Sequence, residues 1–228
     1  MSLSPRSRCR STTRNIGSLR RVTDLTASPP ESRPQRLPRS ARRKLLLEAA
    51  QAVFVANGYH AAAMDDIAER AGVSKPVLYQ HFPGKLDLYL ALLDQHVELL
   101  GEQVRSALTG TEDNKARVEG CIKAYFDFVD DPGGAFRLVF ESDLRNEGAV
   151  RERVERSLQI SVDALADTIA RDTGLDRAEA ELLSCGLAGM AEVSARWWLA
   201  SEGRVPKDRA VSLLAALAWR GISGYPRV

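Results

Sequence analysis

The sequence predicts an all-α protein of about nine helices. From residue 40 onward, apolar residues recur at three- and four-residue steps, as on the buried face of an amphipathic helix. Alternating runs of β-branched residues, which are typical of strands, do not occur, and glycine or proline separates the helical segments. The helices are expected at 40–57, 64–71, 75–81, 85–108, 113–130, 134–141, 147–172, 176–201 and 207–221.

Residues 1–37 precede the first helix and are rich in Arg, Ser, Thr and Pro. Such a segment buries too little apolar surface to offset its ordering entropy, so it predicts a disordered arm. Residues 1–43 carry eleven basic and two acidic side chains, whereas residues 86–228 carry 17 and 24. A basic leading end is typical of a segment that contacts a polyanion. Three origins stay open for the arm: a DNA-contacting extension, incidental sequence before the true start, or a transit peptide.

The first helix carries an apolar stripe that includes Leu46, Val53 and Phe54, and Gly58 supplies its end. The segment 64–82 follows. Ile67 and Leu78 anchor its two short helices, and Gly72 allows a tight turn because glycine takes a positive φ without penalty.

At the start of the second short helix, Ser74 is expected to act as the N-cap. Two short helices joined by such a turn predict a helix-turn-helix.

The exposed residues of the second short helix suit a DNA major groove. Lys75 can donate to guanine, and Gln80 can pair with adenine. Pro76 and Val77 can touch thymine methyl groups, while hydroxyl, imidazole and basic groups nearby can bind phosphates. The predicted DNA contacts are Arg39, Arg42, Arg43, Ser74, Lys75, Pro76, Val77, Tyr79, Gln80, His81 and Lys85.

These residues resemble the TetR family of regulators. The resemblance rests on three stretches. Residues 52–59 begin Ala-Val-Phe and end Gly-Tyr, and residues 67–74 begin Ile-Ala and end Ala-Gly-Val-Ser. Residues 78–88 begin Leu-Tyr-Gln-His-Phe and continue through Lys85 to Leu88. It implies a three-helix DNA-binding domain at 38–88 and a larger helical domain at 89–228 for effector binding and dimerisation. The sequence departs from the family at 61–63, where three alanines replace the usual Thr or Ser, so no phosphate contact is carried over from there.

The larger domain is rich in Phe, Leu and Trp. The resemblance implies an apolar effector cavity among its helices. A ligand that tilts the long fourth helix would then move the reading helix. Apolar residues on the inward faces of the long fourth helix and of the helices that must cover it are predicted to border the cavity: Leu93, Val97, Phe126, Val129, Phe140 and Met190.

Two late helices suggest self-association. Ser184, Ala188, Ala191 and Ala195 form a stripe of small residues that lets another helix approach closely, and 207–221 repeats Ala and Leu. The resemblance implies a four-helix interface in a homodimer, which matches the two-fold symmetry of a palindromic DNA operator. An intramolecular helix pair is the alternative left open.

A finer resemblance concerns actinobacterial regulators of fatty-acid synthesis, the FasR type. It rests on 125–129, 136–143, 186–190 and 196–199. It implies a long-chain acyl-CoA effector, whose phosphates Arg137, Arg145 or Arg196 could meet. The alternative is a repressor of an efflux or catabolic gene that a drug-like apolar compound releases from DNA.

Composition points away from other classes of protein. No stretch is apolar enough for a membrane span or a signal peptide, which predicts a cytoplasmic protein without a membrane partner. The three cysteines, Cys9, Cys121 and Cys185, are too far apart for a zinc site and are expected to be free thiols. No catalytic motif or metal-binding histidine pair occurs, so we expect neither catalytic residues nor a metal or cofactor.

Overall fold

The computed structural model describes residues 38–140, 144 and 147–221, and the predicted arm at 1–37 lies outside them. Within these ranges the chain forms nine α-helices and no strand, which confirms the all-α prediction. The helices are α1 (Arg39–Ala61), α2 (Met64–Arg70), α3 (Lys75–His81), α4 (Lys85–Thr109), α5 (Asn114–Val129), α6 (Ala135–Phe140), α7 (Gly148–Thr173), α8 (Arg177–Ala200) and α9 (Lys207–Arg220).

The predicted breaks at two glycines are confirmed. Gly58 has φ 73° and ψ 169°, so the regular part of α1 ends there and a kinked turn leads toward α2. Gly72 has φ 65° between α2 and α3, in the left-handed region that favours glycine. Both angles arise where the chain must reverse over a short distance.

Helices α1, α2 and α3 pack around a small apolar core. Leu46 and Phe54 of α1 meet Ile67 of α2 and Leu78 of α3, and all four are at most 2% exposed. Phe82 closes the core immediately after α3. This core fixes α3 on the other two helices and leaves its opposite face outward.

Helix α4 connects this three-helix group to the rest of the chain. Its 25 residues span about 37 Å at 1.5 Å per residue. It packs against α1 and α6, and along α5 and α7; α7 packs on α8, and α9 lies mainly on α5. The described residues from 38 onward form one packed unit, so the packing shows no boundary at residue 88, where the sequence predicts two domains.

The small-residue stripe of α8 faces the interior of its own chain. Ser184, Ala188, Ala191 and Ala195 are each at most 3% exposed. The stripe therefore makes the intramolecular helix packing that the sequence left open as the alternative. The outward face of α8 instead carries Leu182, Leu183, Val193 and Trp197, which are 50–75% exposed.

None of the described helices combines the length and the apolarity that crossing a membrane requires.

Candidate nucleic-acid interface and effector cavity

Helix α3 presents one polar face outward. Lys75, Pro76, Tyr79 and Gln80 are exposed, whereas Leu78 is fully buried. Half-buried Val77 and His81 flank this face. The arrangement places the predicted base-reading side chains on one surface of a seven-residue helix, because Leu78 holds the other surface in the core.

Ser74 occupies the N-cap position of α3, as predicted, but its side chain makes no capping hydrogen bond. The first turn forms through the backbone, because the Ser74 carbonyl accepts from the Val77 and Leu78 amides at 3.0 and 3.2 Å. The expectation of a hydroxyl cap is therefore corrected.

Lys75, the first residue of α3, contacts a carboxylate on α2. Its Nζ lies 2.6 Å from Oδ2 of Asp65, and both side chains remain more than half exposed. The hydrogen bond with Asp65 raises the pKa of Lys75, so the lysine is protonated at neutral pH. Sequence patterns do not reveal this pair, because no spacing rule relates positions 65 and 75 across the turn.

Arginines at the start of α1 lie beside the end of α3. The guanidinium carbon of Arg43 sits 4.4 Å from the ring centroid of Phe82, a cation–π contact. Partial burial lowers the pKa of His81, and the positive charges of Arg39, Arg42 and Arg43 lower it further. The predicted phosphate-binding groups from α1 and α3 thus belong to one cluster.

Lys85, a predicted phosphate contact, donates hydrogen bonds within its own chain. Its ammonium donates to the carbonyl oxygens of Tyr59 at 2.9 Å, Ala62 at 2.9 Å and His60 at 3.2 Å. It also lies 4.6 Å from the centroid of the Tyr59 ring. All three N–H donors of the lysine are therefore engaged, and Lys85 clamps the chain between α1 and α2 to the start of α4. Sequence patterns do not reveal this clamp, because its acceptors are backbone atoms.

Polar contacts also join α1 to the body. Gln51 donates from Nε2 to the Gly133 carbonyl at 2.9 Å, and its Oε1 lies 3.2 Å from Nε2 of His96 on α4. Burial lowers the pKa of His96, which keeps the ring neutral. Nearby, Tyr89 of α4 donates to the Leu138 carbonyl of α6 at 3.0 Å. These contacts connect α1, α4 and the α5–α6 region.

An apolar cavity of about 620 Å³ lies at the far end of α4 from Lys85, and we call it the distal cavity. Residues from α4, α5, α7, α8 and α9 line it: Leu108, Asn114, Arg117, Val118, Leu165, Thr168, Ile169, Asp172, Thr173, Leu182, Leu183, Gly186, Leu187, Met190, Ala218 and Trp219. Leu182 and Trp219 are largely exposed, so the cavity opens onto the outward side of α8 and α9.

Charged groups stand among the apolar lining. Arg117 donates from Nη1 to Oδ2 of Asp172 at 2.7 Å and from Nε to the Thr111 carbonyl at 2.8 Å. Arg171 also pairs with Asp172 at 3.2 Å. Desolvation raises the pKa of Asp172, but hydrogen bonds with Arg171 and Asn114 and the charges of the two arginines lower it below its ordinary value, so this carboxylate is ionised at neutral pH.

The six predicted effector residues do not line one cavity. Of the five whose side chains the structure describes, Met190 alone borders the distal cavity. Phe126 borders a second cavity beside Trp198, and Val129 borders a third beside Val55.

The remaining three predicted positions lie on α4 and α6. Leu93 and Val97 are buried on α4 and border none of the cavities described for this part of the chain, because α5 and α7 pack along that helix. The side chain of Phe140 lies outside the described structure.

Of the arginines considered for coenzyme A phosphates, Arg137 borders the third cavity and Arg196 pairs with Glu192. Arg145 lies outside the described residues. Arg117, which the sequence did not single out, is the arginine of the distal cavity.

Comparison with known proteins decides the family. The profile of bacterial regulatory proteins of the tetR family matches residues 46–92. The HTH-type transcriptional activator FasR of Mycolicibacterium smegmatis is 47% identical over 194 residues, which cover 85% of this chain and 89% of that protein. The chain belongs to the TetR family of transcriptional regulators. It is a DNA-binding regulator and not an enzyme.

Solved structures share the TetR-family fold. A TetR-like transcriptional regulator from Rhodococcus sp. RHA1 is 27% identical, with a TM-score of 0.64, and the match covers 83% of this chain and all of that one. FadR from Bacillus subtilis, solved in complex with stearoyl-CoA, is 21% identical, with a TM-score of 0.64 over 78% of this chain and 98% of that one. At this identity the FadR likeness establishes the fold alone.

Proposed function

We propose that this TetR-family regulator binds a palindromic operator as a homodimer and controls fatty-acid synthesis genes in response to a long-chain acyl-CoA. Residues 38–88 would bind DNA through α3 and the arginines of α1. Residues 89–228 would bind the effector and form the dimer. The observation that carries the effector proposal is the distal cavity, whose 620 Å³ falls within the roughly 300–1,000 Å³ of small-molecule sites.

The lining of the distal cavity suits an acyl chain with a charged head. Leu108, Leu165, Ile169 and Leu187 offer apolar surface to the chain. Met190 also borders a narrow space of about 20 Å³ between α5 and α8, so its side chain stands on the inner wall of the distal cavity. Arg117 borders the cavity, and Arg171 lies beside it on the shared partner Asp172, so these two cations are the groups that phosphates of the head group could meet.

Helix α4 provides a route from this cavity to DNA. Leu108 borders the cavity near the end of α4, and Lys85 holds the α1–α2 connection at its start. A ligand regulates only when its affinity differs between DNA-competent and incompetent conformers. A coupling of about 1–3 kcal/mol between the two sites would change operator affinity roughly 5- to 150-fold.

A solved complex of the same fold favours an acyl-CoA over another apolar effector. FasR of Mycolicibacterium smegmatis is similar over most of its length, and the Bacillus subtilis FadR that shares the fold was solved with stearoyl-CoA. The proposed effector is therefore a thioester-linked alkyl chain with a phosphorylated head group.

The test is operator binding titrated with acyl-CoAs of increasing chain length. The operator is first obtained by selecting random duplexes with the wild-type protein. Each added methylene buries apolar surface worth about 0.8 kcal/mol, so the acyl-CoA concentration that gives half of the change should fall about fourfold per carbon until the cavity is full.

Met190→Trp should fill the cavity and abolish the response to long chains, because Met190 borders the distal cavity. Gln159→Trp is the matched control, since it adds the same bulk to an exposed position of α7. If no chain length changes operator affinity, the acyl-CoA proposal is wrong. A drug-like compound that releases the same duplex would then be the effector.

A further inference from the structure

The contact between Asp65 and Lys75 places a carboxylate on the surface proposed to face DNA. Asp65 is the second residue of α2, and Lys75 is the first residue of α3. Their Nζ–Oδ2 distance is 2.6 Å, and the side chains are 58% and 61% exposed. Negative charge at this position opposes the approach of a phosphate backbone, which carries one charge per roughly 1.7 Å of duplex.

Fold stability does not account for the contact. An ion pair between exposed side chains contributes roughly 0–1 kcal/mol to folding, because water screens it and ordering two side chains costs entropy. The apolar contacts of Ile67 and Leu78 already hold α2 and α3 in place. The pair instead determines what the ammonium of Lys75 can contact in a complex with DNA.

We propose that Asp65 is a specificity-determining residue that withholds Lys75 from phosphates and so weakens binding to DNA other than the operator. This inference rests on the proposed function, in which α3 reads base edges. Non-specific binding consists almost entirely of phosphate contacts. There the carboxylate subtracts one attractive contact and adds a repulsive charge. On the operator, Lys75 exchanges Asp65 for a guanine edge, which compensates for the lost pair.

The variant that tests this is Asp65→Asn, which keeps the side-chain shape and removes the charge. Asp66→Asn is the matched control, because Asp66 is an exposed carboxylate in the same turn of α2 and has no ion pair within the described ranges. Both are measured on a duplex selected with the wild-type protein and on a scrambled duplex of the same length and composition.

We expect Asp65→Asn to bind the scrambled duplex about tenfold more tightly and the selected duplex less than threefold more tightly, so that the ratio falls. The slope of log affinity against log salt on the scrambled duplex should steepen by about 0.9, the value for one further phosphate contact. The double variant with Lys75→Met should lose this added slope, since no ammonium remains to be released.

Three outcomes overturn the proposal. Equal effects of Asp65→Asn and Asp66→Asn would mean that only net charge matters. Weaker binding of Asp65→Asn to the selected duplex would mean that Asp65 itself accepts from a base, such as the cytosine amino group. Finally, Lys75→Ala distinguishes a failure of the proposed function from a failure of the role proposed for Asp65. If Lys75→Ala leaves sequence preference unchanged, the proposed reading surface is wrong. If Lys75→Ala changes the preference but Asp65→Asn leaves the ratio of the two affinities unchanged, the reading surface stands and the role of Asp65 is wrong.

Discussion

His81 is the residue at which charge and burial meet on the proposed DNA surface. Desolvation and three arginines lower its pKa in the free protein, so the ring is neutral at pH 7. A phosphate beside the ring would act in the opposite direction, because a negative charge stabilises the imidazolium. Binding of DNA should then be coupled to uptake of a proton by His81.

The predicted consequence is a pH dependence of operator affinity. Because the bound form holds the proton more tightly than the free form, affinity should rise as pH falls from 8 toward 6, by at most about tenfold per pH unit for each chain. His81→Gln should flatten this dependence in a fluorescence anisotropy titration. His60→Gln is the control, since His60 is exposed outside α3. An unchanged pH profile in His81→Gln would mean that His81 does not contact a phosphate.

At the scale of helices, Lys85 links the start of α4 to the chain between α1 and α2. Three carbonyl oxygens accept from its ammonium, and the Tyr59 ring lies beneath it. Carbonyls near the C-terminal end of a helix carry partial negative charge, which a lysine neutralises. The clamp therefore holds the start of α4 against the end of α1 and Ala62.

Removal of the Lys85 charge should destabilise the fold. Lys85→Met keeps most of the side-chain stem and leaves the partly buried carbonyls without their donor, at a cost of about 1–3 kcal/mol. The melting temperature should fall by several degrees, measured by circular dichroism. Lys44→Met is the control, because Lys44 forms an exposed pair with Glu48 on α1. A variant that melts like wild type but binds the operator weakly would identify Lys85 as a DNA contact.

At the scale of the whole molecule, packing within one chain leaves an apolar surface of α8 and α9 exposed. Leu182, Val193 and Trp197 are 75%, 62% and 63% exposed, and Trp219 is 48% exposed. Large exposed apolar patches mark protein interfaces, and a two-fold contact would use the same patch on both copies. This surface is where we expect the homodimer to form.

Trp197→Glu should therefore separate the proposed dimer. Aromatic residues at the centre of an interface contribute about 2 kcal/mol or more, so the dimer dissociation constant should rise at least about 30-fold. Sedimentation equilibrium measures the change directly. Leu99→Glu is the control, because Leu99 is an exposed apolar residue on α4, outside α8 and α9. A dimer that survives Trp197→Glu with unchanged affinity would place the interface elsewhere.

The sequence by itself determined the helices, their ends and the helix-turn-helix. Apolar periodicity, Gly58 and Gly72 are local signals, since a turn depends on the φ angles of a few adjacent residues. The exposed face of α3 was also predictable, because burial of Leu78 alone fixes which side chains point outward.

Only the tertiary structure decided which groups meet across helices. It turned the small residues of α8 inward, engaged Lys85 with three carbonyls, paired Lys75 with Asp65, and placed a cavity beside Met190 rather than Leu93. Each outcome depends on how far one helix is rotated about its axis against another. Side chains distant in sequence set that rotation together by close packing, so no local pattern encodes it.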